Sequence, residues 1–339
     1  MANESGNFSS IPILDYTLIS DPTTKPTFIS QLQHALINVG FLYLSNAPVD
    51  TAVIDALVGY IPRLFALPQD AKDKIRMANS EHFLGYSRLG AELTRGAVDQ
   101  REQFDFATPH VSRWKKQGDP DYHRLWGPSQ WPEESLIPGF RAIMEQYLAQ
   151  VQELSYKFSS LLSEALGLSP DSLAGFYDTA QNMQHRGKIV QYPVLEDGGQ
   201  GVGPHYDAGF LTFLLQASVH QGLQVQNIAG EWIDAPPIPG TFVVNIGKAL
   251  EFATQGLARA TSHRVLSPRA APGEPANPRY SVPFFQNISL DVKLADMVLE
   301  FPPEILKLRD GRGRVGATDS VNFTEFDREP SGKVNLIGR

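Results

Sequence analysis

The chain has 339 residues, 42% hydrophobic and 19% charged, so it can bury a large core and is not a disordered polymer. Its formal net charge of −8 argues against nucleic acid as the main partner, because neutralising phosphates takes a basic stripe. Cysteine is absent, which excludes disulfides, thiolate metal sites, iron–sulfur clusters and cysteine nucleophiles, and leaves any metal to histidine and carboxylate. No apolar run is long enough to span a membrane, and the opening MANESGNFSS lacks the basic and apolar regions of a secretory signal. These features predict a soluble, cytoplasmic protein.

Residues 1–10 are polar and read as a frayed end. Ile11-Pro12-Ile13-Leu14-Asp15 reads as a short edge strand, because Pro12 lacks a ladder donor. Phe28, Leu32, Leu36 and Val39 recur at helical steps after Pro26, and Gly40 closes that helix. Phe41-Leu42-Tyr43-Leu44 is a buried strand. A second helix runs over about 51–67 and stops at Pro68. Residues 80–139 read as irregular, punctuated by Gly, Pro and Trp. The longest helix spans about 139–166, with Ile143, Tyr147, Val151, Leu154, Phe158 and Leu161 on one face and Gly167 as its cap. From about 186 short β-rich runs take over: Lys188–Tyr192, Phe210–Gln216, Gly222–Gln226, Glu231–Asp234, Thr241–Ile246, His263–Leu266 and Arg279–Asn287. Turn residues at short intervals between them suggest a sandwich or closed barrel. A tail from 288 carries some helix and ends polar. The chain thus reads as one compact mixed α/β unit, a helical N-terminal half packed on an all-β half.

His205-Tyr206-Asp207 is the sharpest chemical feature. If extended, residues i and i+2 share a face, so an imidazole and a carboxylate point at one spot. His263, at the start of a later β run, is the best third ligand. Two histidines and one carboxylate leave open positions on a metal, the arrangement of non-haem Fe(II) oxygenases; zinc accepts the same donors. The plainer reading makes each histidine a core or surface residue. His185 and His220 remain as spare candidates, whereas His34, His82 and His123 fall on a helix or in irregular segments. Arg279 and Ser281 would share a strand face, where a guanidinium and a hydroxyl can clamp a carboxylate. Tyr192 can add a hydroxyl there. The competing reading is an internal ion pair for Arg279 and simple packing for Tyr192. No phosphate-binding glycine loop opening a helix and no G-x-S-x-G elbow is present.

Taken in order, these residues resemble the isopenicillin N synthase-like family of Fe(II)/2-oxoglutarate-dependent oxygenases. Along nearly the whole chain the resemblance runs through Val39-Gly40-Phe41-Leu42-Tyr43-Leu44, Gly85-Tyr86-Ser87 and Gly127-Pro128-Ser129-Gln130-Trp131-Pro132. It tightens over Gly203-Pro204-His205-Tyr206-Asp207, Gly209-Phe210-Leu211-Thr212, Val244-Asn245-Ile246-Gly247, His263-Arg264-Val265 and Arg279-Tyr280-Ser281.

The resemblance implies a double-stranded β-helix (jelly-roll) core with a helical N-terminal region packed against it. The implied division is residues 1–185 for that region, 186–290 for the catalytic core and 291–339 for an extension. It implies Fe(II) held by His205, Asp207 and His263. It further implies 2-oxoglutarate held at its distal carboxylate by Arg279, Ser281 and Tyr192, with O₂ as the other cosubstrate. Phe285 matches a residue bordering the iron pocket, and Phe210 either lines that pocket or fills the barrel. Lys248 stands where relatives commonly carry Asp, so it is expected near the substrate mouth. The implied activity is oxidation of a small, specialised metabolite by hydroxylation, desaturation or ring rearrangement. An Fe(II) oxidase of the same fold that uses no 2-oxoglutarate is the alternative, with a zinc enzyme or a silent binding protein further off. Arg88, Arg95 and Arg101 sit in a segment, about 80–120, that reads as part of a lid. They are candidates to meet an acidic substrate, against the plainer reading of solvated charge.

Overall fold

Alternating side chains decide which way each strand faces. In the computed structural model, which describes residues 7–179, 182–196, 198–269, 277–310 and 328–337, that alternation builds two facing sheets. The polar residues 1–6 and the stretch 311–327 of the polar tail lie outside the described residues.

The N-terminal region contributes β1 (Ile13–Asp15), α1 (Lys25–His34), β2 (Phe41–Ser45), α2 (Thr51–Phe65) and α3 (Gln69–Lys74). Beyond its regular part α1 widens into a π-helical turn over Ala35–Val39 before Gly40. Next come β3 (Gly85–Ser87), β4 (Leu93–Thr94), β5 (Ala97–Val98), β6 (Glu102–Ala107) and the long α4 (Phe140–Ala165). The β-rich half supplies β7 (Arg186–Tyr192), β8 (Gly199–His205), β9 (Leu211–Gln216), β10 (Leu223–Gln226), β11 (Trp232–Asp234) and β12 (Thr241–Ile246). It continues with α5 (Lys248–Ala253), β13 (His263–Ser267) and β14 (Arg279–Gln286), and the tail adds α6 (Pro303–Asp310) and α7 (Ser331–Ile337).

The major sheet runs β1-β2-β12-β9-β14-β7-β6-β3 and the minor sheet β11-β10-β13-β8, with β4 and β5 as a separate hairpin. This is a mixed α/β fold on a jelly-roll core. β1, β2, β3 and β6 come from the N-terminal region yet pair into the major sheet, so the sheet crosses residue 186.

Two apolar layers hold it together. One face of the major sheet presents Phe213, Val244, Val282 and Phe284 to Tyr147, Leu148, Val151 and Phe158 of α4. The other face joins the minor sheet through Val190, Tyr192, Val202, Leu223, Val225, Val243 and Val265. Val190, Tyr192, Val202, Leu223 and Val265 of that second layer line the functional cavity.

The expectation of an irregular 80–139 needs correction. β6 sits inside the major sheet, paired with β7 from Glu102↔Gln191 to Ala107↔Arg186. Its Phe104 and Phe106 pack among the helices, but Gln103 and Asp105, on the opposite face, are also buried. A strand with a polar buried face hides its alternation. Among the described residues no helix is long and apolar enough to cross a membrane.

Candidate active site

β13 and β8 pair antiparallel with His263 opposite His205, which brings the imidazoles together with ring centroids 4.2 Å apart and planes tilted by 51°. Asp207 follows β8 by two residues, and its Oδ1 lies 3.8 Å from Nε2 of both His205 and His263. One ligand atom from each residue falls within 4.8 Å of the others, the only such His/Asp/Glu group among the described residues.

Surrounding groups orient all three. His205 Nδ1 meets the Gly203 carbonyl at 2.8 Å and His263 Nδ1 the Thr261 carbonyl at 3.2 Å. A carbonyl only accepts, so each Nδ1 carries a proton, and each Nε2 faces Asp207. Asp207 Oδ2 accepts from Thr212 Oγ1 at 2.6 Å and Asn245 Nδ2 at 2.8 Å, which leaves Oδ1 turned to the imidazoles. Burial, joined by the neighbouring His263, holds His205 well below the ordinary imidazole range. For Asp207 burial pulls upward, but His263, His205 and the two hydrogen bonds outweigh it and keep the carboxyl below its usual range. The result is a neutral imidazole beside a carboxylate, the protonation that metal ligation requires.

The loop after Asp207 is fixed from below. Lys248 N–H donates to the Asp207 carbonyl at 2.7 Å and Gly247 N–H to the Phe210 carbonyl at 2.9 Å. A Cβ on Gly247 would lie 2.1 Å from the Gly209 carbonyl oxygen, so this close approach demands glycine.

The three residues open into a cavity of about 520 Å³ between the sheets. Arg279, Ser281 and Tyr192 stand on its wall. Arg279 is 1% exposed, faces Tyr192 in the β14–β7 register and holds its guanidinium 4.9 Å from that ring. Nη2 donates to Gln216 Oε1 at 3.1 Å, but Nε and Nη1 are buried without a hydrogen-bond partner. Burial lowers its pKa from the ordinary guanidinium value. The internal ion pair considered for Arg279 from sequence is therefore not what its polar contacts show.

The other candidates divide. Phe285 lines the cavity. Phe210 does not: it is fully buried on the helix side, its ring against Phe176 and Tyr177. It lies in the loop ahead of β9, before the alternation begins. Lys248 also stays off the wall; its ammonium bonds Glu251 at 2.6 Å and lies 4.1 Å from the centroid of Tyr206, a wall residue. His185 is structural, accepting from Asn287 N–H at Nδ1 and meeting Tyr156 Oη at 2.7 Å through Nε2. His220 is in no ligand cluster. Thr212 and Asn245 carry no role in the sequence motifs that contain them; their paired positions on β9 and β12, turned toward Asp207, are what reveals one.

Comparison with known proteins decides the family. Residues 11–134 match the model of the non-haem dioxygenase N-terminal region named for morphine synthesis, and residues 177–288 match that of the 2OG-Fe(II) oxygenase superfamily. This chain belongs to the Fe(II)/2-oxoglutarate-dependent oxygenases. A 2-oxoglutarate-dependent dioxygenase, frbJ, from Dothideomycetidae sp. (strain 11243) is 45% identical over 325 residues, covering 94% of this chain and 85% of the relative. A second, from Gibberella zeae, is 37% identical over 98% of this chain and 86% of its own length. Among solved structures, a full-length Neurospora crassa protein in complex with alpha-KG and 5-formyluracil superposes with a TM-score of 0.74 at 24% identity, covering 99% of this chain and 97% of that one. The oxygenase is thus a dioxygenase dependent on Fe(II) and 2-oxoglutarate, with O₂ as cosubstrate.

Proposed function

We propose that His205, Asp207 and His263 hold the Fe(II), that Arg279, Ser281 and Tyr192 seat the distal carboxylate of 2-oxoglutarate, and that a small specialised metabolite is oxidised beside them. Two properties of the site support this seating. The three side chains offer neutral nitrogen and anionic oxygen donors that converge on one spot. Arg279 is a buried cation with two unpartnered nitrogens, Nε and Nη1, on the wall of the same cavity. That second observation carries the reading, because a buried guanidinium without a carboxylate is costly until an anion arrives.

When bound, Fe(II) with 2-oxoglutarate and O₂ supplies the oxidising power, one oxygen atom leaving in succinate after loss of CO₂ and the other serving C–H oxidation of the substrate. The chain's own residues do the rest. Thr212 and Asn245 hold Asp207 so that one oxygen stays available. Gly203 and Thr261 fix the imidazole tautomers. Arg279 neutralises and orients the far carboxylate, and the apolar wall around Phe285 excludes water. Relatives named as 2-oxoglutarate-dependent dioxygenases come from two fungi, which supports a biosynthetic substrate. The same reading groups 1–185, 186–290 and 291–339 as parts of one unit.

Anaerobic addition of Fe(II) and 2-oxoglutarate tests it by the weak visible charge-transfer band. His205→Ala and Asp207→Ala should lose both the band and succinate formation. Arg279→Ala should raise the 2-oxoglutarate concentration at half-saturation by about tenfold or more. A normal 2-oxoglutarate requirement in Arg279→Ala would mean that the cosubstrate is anchored elsewhere, and turnover in Asp207→Ala would remove the ligand assignment.

A further inference from the structure

Arg101 is a cation that neither the metal nor the 2-oxoglutarate seat uses. It immediately precedes β6, and β6 and β14 flank β7 on opposite sides. Arg101 and Arg279 therefore stand on either side of Tyr192. Its Nη2 pairs with Glu92 and lies 3.3 Å from Asp99 Oδ2, yet its Nε is buried with no hydrogen-bond partner. Arg101 is on the wall of the cavity that His205 also lines.

Other wall residues share this sign. Lys188 faces in from β7, 3.6 Å from the buried Asp105, and Arg95 comes from the turn of the β4–β5 hairpin. The acids that accompany these cations, Glu92, Asp99 and Asp105, are not on the wall. Among the described residues the only carboxylate there is Asp207, already turned to the imidazoles. The wall also carries apolar side chains, among them Leu125, Trp126, Phe285 and Leu290. Cations and hydrocarbon lining one cavity match an amphiphilic acid. Among the described wall residues the one anionic group that could pair with a cationic substrate is Asp207, which the proposed metal needs.

Building on the functional reading above, we propose that the substrate is an acid: a small molecule whose carboxylate is received by Arg101, with Lys188 and Arg95 adding positive potential, and whose hydrocarbon body lies against Trp126, Phe285 and Leu290. The free Nε–H of Arg101 gives a charge-assisted hydrogen bond to a carboxylate, and a neutral amide, offering only a weaker acceptor beside these cations, is bound less well.

The test uses the Fe(II)- and 2-oxoglutarate-loaded protein without air and a panel of carboxylates with bodies of about four to ten carbons, a size such cavities hold. Each is paired with its primary amide and its amine, as 3-phenylpropanoate with 3-phenylpropanamide and 3-phenylpropylamine. Acids should perturb the charge-transfer band, and in air stimulate release of CO₂ from 2-oxoglutarate; their amides and amines should not. Arg101→Gln should weaken binding of a responding acid by about tenfold or more, Arg101→Lys by less, with the 2-oxoglutarate titration unmoved in both. Arg95→Gln, on an exposed hairpin where folding is not at stake, should weaken the acid a few-fold. The proposal is overturned if amides or amines act as well as acids, if no acid acts, or if Arg101→Gln shifts 2-oxoglutarate and leaves the acid untouched. Failure of the band to form in the unaltered protein instead removes the cosubstrate reading, and the acid with it.

Discussion

Asp207 has two oxygens with separate tasks. Oδ2 is taken up by Thr212 and Asn245, while Oδ1 faces the two imidazoles. Held this way, the carboxylate cannot rotate to offer the wrong oxygen, so less order has to be imposed when a metal arrives. Asn245→Ala keeps every proposed ligand and removes one of these restraints. Its affinity for Mn(II) or Co(II), measured by titration, should fall about 10–100-fold. An unchanged affinity would show that Thr212 alone fixes the carboxylate. At this scale sequence reading reached the donors but not their supports. His205 and Asp207 are two residues apart, so their shared direction is local. Asn245 reaches Asp207 from 38 residues away, and only the β9–β12 pairing brings it there.

Elements separate stability from chemistry. The helix layer packs on one face of the major sheet and the cavity opens on the other. Phe158 of α4 meets Phe213 edge-on with centroids 5.6 Å apart, both fully buried. Phe158→Ala should cost about 3–5 kcal/mol in urea unfolding, yet leave 2-oxoglutarate half-saturation of the folded protein unchanged, because neither ring borders the cavity. A shifted half-saturation would show that the sheet transmits the cavity in the helix layer to the site. Gly247→Ala should behave differently. Its new methyl group meets the Gly209 carbonyl, so the loop carrying Asp207 must move. Stability should drop by about 1–3 kcal/mol and metal affinity should drop with it. Equal metal binding in Gly247→Ala and the unaltered protein would refute that coupling. β8 shows why such elements escape sequence reading. Its GQGVGPH run has weak strand character, but a Cβ on Gly201 would lie 2.7 Å from the Tyr192 ring. Glycine is there because the two sheets approach closely, and the facing ring is nine residues away in sequence.

The molecule as a whole carries a net charge of −8 around a cavity whose wall is rich in arginine and lysine. Surface charge and site charge thus have opposite sign, and bulk composition says nothing of the substrate. Burial also couples the fold to pH. His185 is fully enclosed, and burial pushes its pKa from 6.5 down to about 3. A group whose folded pKa is depressed binds more protons when unfolded, so stability is present above the unfolded value and is lost as pH falls toward the folded one. Unfolding free energy should therefore decline as pH drops from about 6.5 toward 3. His185→Asn should flatten part of that decline in urea titrations compared between pH 7.5 and 5, values about the ordinary imidazole range. Parallel slopes in the two proteins would assign the decline to other groups.

From the sequence alone came the family, the metal-ligating types and seven of the eight strands in the second half, all but β8, because these rest on local spacing: His-X-Asp on one extended face, Arg-X-Ser on another, hydrophobic periods of 2 and 3.6. Only the tertiary structure decided which side of each strand meets water, helix or cavity. It drew β6 into the major sheet, turned Phe210 away from the cavity and placed Arg101 beside Tyr192. The reason is physical: direction along a chain is set by neighbours two to four residues away, whereas burial of a polar face is set by what another strand, many residues distant, presents to it.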